Sequence, residues 1–118
     1  MAASDSRLRV RKDSGVTIVE FVDRNILDEA NIQMIGDEIT SLIESESSPK
    51  LLISFANVDH LSSAALGTLI TINNKLRQKG QLRLANIDPQ IYEVFVITRL
   101  NNIFKIMPTT EDAIKSFG

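Results

Sequence analysis

The run Leu51-Leu52-Ile53-Ser54-Phe55-Ala56-Asn57-Val58-Asp59-His60-Leu61-Ser62-Ser63-Ala64-Ala65-Leu66-Gly67 decides the fold. Its first five residues are short, almost wholly apolar and preceded by Pro49, the pattern of a buried central strand. Further on, Leu66, Leu69, Ile70, Ile72 and Leu76 recur at helical spacing. Ser62 and Ser63 therefore stand where a strand ends and a helix begins. A serine there is a good N-cap, because its oxygen accepts a bond from a free backbone N–H of the first turn. The same N–H groups and the helix dipole welcome a phosphate. The turn thus carries a structural reading, a cap at Ser63 with Ser62 as the competing cap, and a functional one, a phosphorylation switch.

Working outward, Gly80 lies where a C-cap glycine would end that helix. Leu82 and Leu84 alternate with Gln81 and Arg83, a second strand. Strand, helix and strand make a βαβ unit, which implies parallel neighbours and a right-handed crossover. The serine turn then falls at the carboxyl end of a central strand, the edge where open α/β sheets meet ligands and partners. Upstream, Leu8-Arg9-Val10-Arg11 alternates like an edge strand, Asp13-Ser14-Gly15 is turn chemistry, and Val16 to Val22 is a partner strand. Asp28 is placed to cap a helix carrying Ile32, Ile35, Ile39, Leu42 and Ile43, which fades before Pro49. Downstream, Asp88-Pro89 starts a helix whose Ile91, Val94, Phe95 and Leu100 face inward. Phe104 to Met107 is a last short strand, and Pro108 to Asp112 opens a terminal helix with Ala113, Ile114 and Phe117.

At 118 residues, 43% apolar, the chain supports one core. Its formal net charge is −2 and its basic residues are interspersed with acids, which argues against a nucleic-acid surface. With no cysteine, disulfides, thiolate catalysis and cysteine–metal sites are excluded. The single histidine, His60, cannot build a multi-histidine metal site. No apolar run approaches the ~20 residues of a membrane span, and Met1 to Arg11 lacks the apolar core of a secretory signal. Neither GxGxxG nor GxxxxGK[ST] occurs, so those routes to nucleotide binding are unsupported. The expectation is a cytoplasmic protein with no cofactor, no metal and no direct membrane contact.

From Leu8 to Phe117 the chain resembles the STAS domain, found in bacterial anti-sigma factor antagonists and in anion-transporter tails. The hairpin, the Asp28 helix, the Leu51 to Val58 strand, the Leu61 to Gly67 turn, Gly80 and the Leu100 to Met107 segment carry the match. The resemblance implies an α/β fold: residues 1–6 a flexible tail, residues 7–118 one STAS domain. Its sheet would be mixed and four- to five-stranded, with helices packed mainly on one face. It also implies a non-catalytic role, as an anti-sigma factor antagonist. Such a domain binds an anti-sigma factor serine kinase, frees a sigma factor, and is switched by phosphorylation; a cognate phosphatase resets it. The alternative is an interaction subunit of a signalling scaffold or of a lipid or anion transport complex.

Antagonists of the family usually read aspartate, serine, serine or threonine, glycine, leucine, glycine at this turn. With Leu66 and Gly67 as anchors, Ser62 takes the aspartate's place and Ser63 the phosphoserine's. Ala64 replaces the second hydroxyl and Ala65 the first glycine. The acceptor hydroxyl is thus kept at Ser63, with Ser62 as the alternative acceptor, while the acid before it is gone. Asp23, Arg24 and Asn25, in a loop that neighbours the turn in the family, join Asp59, His60, Leu61, Ser62, Ser63 and Ala64 as the expected partner surface. The loop residues also suit plain turn and capping chemistry. His60 reads as a solvated loop residue, since no nucleophile–base–orienter set forms around it. The expected assembly is a monomer or weak dimer, the arginines of Leu8 to Arg11 opposing edge pairing.

Overall fold

The structure, a computed structural model, describes residues 8–22, 24–26 and 29–117. The expected tail at 1–6 and the Asp28 cap lie outside the described residues. The strands β1 (Leu8–Asp13) and β2 (Val16–Phe21) form an antiparallel hairpin. Its two turn residues, Ser14 and Gly15, have φ of 56° and 81°. That is the left-handed backbone which a two-residue hairpin turn needs to match the strand twist.

There follow β3 (Asn25–Ile26), α1 (Glu29–Glu44), β4 (Lys50–Ser54), β5 (His60–Leu61), α2 (Ser63–Leu76) and β6 (Gln81–Ala85). Then come α3 (Pro89–Ile97), a single 3-10 turn (Leu100–Asn102), β7 (Ile106–Met107) and α4 (Thr110–Ser116). Among the described residues the main sheet has five strands in the order β1-β2-β4-β6-β7. Only the β1–β2 pair is antiparallel. The βαβ unit from β4 through α2 to β6 is present, with Ile53 opposite Leu84.

Strand period 2 sorts the core into two layers. On one face Val19, Phe21, Leu51, Ile53, Leu82 and Leu84 meet the apolar stripes of α1, α2 and α3. On the other, Val16, Ile18, Leu52 and Ala85 meet Ala113 of α4. The helices thus pack mainly on one face. Arg83, on the α4 side, is buried and donates from Nε to Ser116 Oγ at 2.8 Å while lying over the Phe117 ring. Burial holds its pKa below the usual guanidinium range.

Three local expectations need correction. Gly80 is not a left-handed cap: the C-cap is Arg77, and Gly80 has no positive φ. Its glycine is required because a Cβ there would run into Pro49 O and Pro49 Cγ, where the chain passes the start of β4. Val94 does not face inward; it is 41% exposed, because Ile91 and Phe95 alone make the buried stripe of so short a helix. Leu100 is buried, but from the 3-10 turn that follows a break at Arg99, whose φ is 64°.

Candidate functional site

The serine turn is positioned by β4 and by a second, two-stranded sheet. The chain leaves β4 through Phe55 and Val58, both buried beneath the turn. It then pairs β5 with β3 in parallel, Asn25 opposite His60 and Ile26 opposite Leu61. Two backbone donors, Asp59 N–H at 2.7 Å and His60 N–H at 3.3 Å, converge on Arg24 O. The Arg24 guanidinium answers by donating from Nε and Nη2 to Asp59 Oδ2, each at 2.8 Å. The two loops are therefore locked together, although 35 residues separate Arg24 from Asp59. The ion pair is exposed and is worth about 0–1 kcal/mol; the backbone bonds fix the geometry.

At the start of α2 the two serines have different tasks. Ser62 is the N-cap: its backbone is extended and its Oγ accepts from Ala65 N–H at 3.2 Å. The expectation that Ser63 caps the helix is thus wrong by one residue. Ser63 is the first helical residue; its side chain is exposed and makes no hydrogen bond among the described residues. Leu66 N–H is taken by Ser62 O, which leaves the N–H groups of Ser63 and Ala64 at the open helix end. No acidic side chain stands in that first turn. Ala64 is exposed beside Ser63, while Ala65 is buried on the core side.

The described part of the expected partner surface is one continuous patch: Arg24, Asn25, Asp59, His60, Leu61, Ser62, Ser63 and Ala64. Asp23 lies outside the described residues. His60 is exposed, and the Asp59 carboxylate is directed to Arg24, so an Asp-His-Ser triad is not assembled. The sequence reading missed the other wall of the patch. Gln90, Ile91 and Val94 of α3 face Asp59, His60, Leu61 and Leu66 across an open groove of about 410 Å³. The signal that could have found them is that α3 carries more apolar residues than its short buried stripe uses.

The family profile described as STAS domain matches residues 7–113. The chain belongs to the STAS domain family. A relative from Bordetella bronchiseptica, BtrV, is 25% identical over 95 residues, 80% of this chain and 81% of its own. Its name gives its role, provisionally, as anti-sigma factor antagonist. The STAS fold is matched by an anti-sigma-factor antagonist domain protein from Planctomyces limnophilus. Its TM-score is 0.84 at 20% identity, covering 92% of this chain and 96% of that one. The Bacillus cell fate determinant SpoIIAA, solved in its phosphorylated form, matches with TM-score 0.65 at 17% identity. The match covers 92% of this chain and 96% of SpoIIAA. Among the described residues, no helix is long and apolar enough to cross a membrane.

Proposed function

We propose that this STAS domain is an anti-sigma factor antagonist that binds an anti-sigma factor serine kinase through the serine turn. Binding frees a sigma factor; transfer of a phosphoryl group to Ser63 Oγ ends it. The observation that carries this reading is the division between the two hydroxyls. Ser62 Oγ is engaged as a cap, whereas Ser63 Oγ is exposed and unengaged on a helix end rich in free N–H groups. The names of BtrV and of the Planctomyces protein point the same way, and SpoIIAA shows that a STAS domain can exist phosphorylated.

The loss of the usual acid then has a physical explanation. Serine and aspartate cap helices about equally well, so Ser62 keeps the cap and drops only the charge. A phosphate on Ser63 would add about −1.5 to −2 charges where the partner docks while sitting favourably on the helix N-terminus. The fold need not change, and the domain acts as substrate and switch, not as catalyst. Arg24, Asn25, Asp59, His60 and Leu61, with Asp23, complete the docking surface in this reading.

The test is an affinity capture from the native organism with wild-type and Ser63→Asp baits, partners identified by mass spectrometry. The proposal expects a serine kinase regulator of a sigma factor on wild type and its loss on Ser63→Asp. Capture of a transporter or scaffold equally by both baits would overturn it in favour of an assembly role.

A further inference from the structure

We propose that the outer edge of β1 takes up an extended acidic segment of a partner protein as an added strand. This surface is separate from the serine turn, and the inference does not depend on phosphorylation there. β1 is one end of the main sheet and keeps unbroken register with β2 over all six of its residues. The strand at the other end, β7, has only two. Beyond Leu8 every residue of β1 is exposed. Proteins commonly close such an edge with a proline, a bulge or a covering element. β1 has no proline and no bulge, and among the described residues no strand pairs with its outer side.

The backbone has the phase that strand addition needs. Asp13 and Val16 flank the two-residue turn and so exchange the first bonds of the hairpin. Bonding alternates along an antiparallel pair, so Arg11 and Arg9 also bond to β2. The N–H and C=O groups of the intervening Val10 and Lys12 then point away from the sheet. A strand laid alongside meets two donors and two acceptors, the main-chain recognition on which strand addition relies.

Side-chain chemistry selects the occupant. Arg9 and Arg11 share the sheet face of Ile18. Neither forms an ion pair among the described residues, although Arg9 stands opposite Glu20. Lys12 is on the other face and is committed to Glu46. Val10, on that other face, is exposed and apolar. The complement is therefore acid, apolar residue, acid, with carboxylates opposite Arg9 and Arg11 and the apolar side chain opposite Val10. A second copy of this chain fits less well. Antiparallel pairing about Val10 sets Arg9 against Arg11 of the other copy twice, and pairing about Arg11 opposes the two Arg11 side chains. The latter register also matches Arg9 with Asp13, but that carboxylate already accepts from Ser14 Oγ at 3.0 Å. An anionic membrane or a nucleic acid would use the arginines and leave the outward backbone groups unmatched.

The experiment is an amide NMR titration of the full chain, with hydrogen exchange, against a capped peptide that alternates glutamate with valine. Its comparator alternates lysine with valine. The proposal expects saturable shifts on β1 with the acidic peptide and slowed exchange of the Val10 and Lys12 amides. The Arg9 and Arg11 amides, already bonded to β2, should change little. The Arg9→Glu/Arg11→Glu double variant should bind the acidic peptide roughly ten-fold more weakly and prefer the lysine peptide. Val10→Pro should abolish binding, since proline at an outward position removes a donor without breaking the β2 ladder. Each variant's spectrum reports its fold, and the charge reversal decides if Val10→Pro does not fold. No saturable binding, equal binding of both peptides, or shifts without slowed exchange would overturn the proposal. So would the same shifts with anionic vesicles, or exchange that slows with chain concentration alone, the mark of a second copy.

Discussion

The two ends of the parallel strands are built for different purposes. At the carboxyl end, the serine turn is held by backbone bonds and a surface ion pair, and its side chains are left open to solvent. At the amino end, Gly80 is pressed against Pro49 so closely that a methyl group does not fit. Nearby, Glu46 Oε2 accepts from both Lys12 Nζ and Thr17 Oγ1. The same βαβ unit runs between the two ends. What differs is whether a side chain has a structural partner, and so which substitutions the fold feels and which only a docking partner feels.

Gly80→Ala should sharpen that contrast most, losing roughly 1–3 kcal/mol because backbone cannot yield as a flexible side chain would. A urea melt would show it as a lower midpoint with unchanged slope. At the other end, Ser62→Ala should lose ~1 kcal/mol with the cap, and Ser62→Asp should restore most of it. Equal stability of the wild type and both Ser62 variants would mean that the cap bond contributes nothing. Gly67, exposed on α2 with open space around its missing Cβ, has no steric role. Gly67→Ala should raise stability by roughly 0.5–1 kcal/mol, the reverse of Gly80→Ala. Ser63→Ala should shift stability by less than ~0.5 kcal/mol.

The smallest effect concerns acid. The Lys12 hydrogen bond, against some desolvation and with help from Thr17, holds the Glu46 carboxyl below its usual range. A depressed carboxyl stabilises the fold above its unfolded pKa and loses that contribution as pH falls through the folded one. Lys12→Met should therefore be slightly less stable than wild type at neutral pH, and the gap should close below the ordinary carboxylate range. A gap that widens on acidification would contradict the assignment. Lys12 is exposed and Glu46 only half-buried, which keeps the effect small.

Much of this was legible in the chain. The hairpin, the βαβ unit and the Asp88-Pro89 helix start follow from local chemistry, and each is present. Asp88 accepts from Gln90 N–H at 2.8 Å, as a cap should. What escaped notice depends on contacts between distant segments. β3 and β5 are two residues each, too short to show any periodicity. The Arg24–Asp59 lock exists only once those strands pair. The one-residue phase between Ser62 and Ser63 has the same origin. Both are good caps by type, and the choice depends on where the β5 pairing at Leu61 releases the chain. Gly80 sat where either a C-cap or a close approach would want glycine, and only the position of Pro49 decides between them. The facing of Val94 does not follow from spacing, because a nine-residue helix offers one buried turn and little phase information.

The sharpest test is to locate the phosphate. The wild-type chain would be incubated with ATP and the serine kinase it captures, and the turn peptide mapped by tandem mass spectrometry. The division of labour predicts one phosphate, on Ser63, with Ser62 unmodified and the reaction lost in Ser63→Ala. A phosphate on Ser62, or none on either serine, would contradict it.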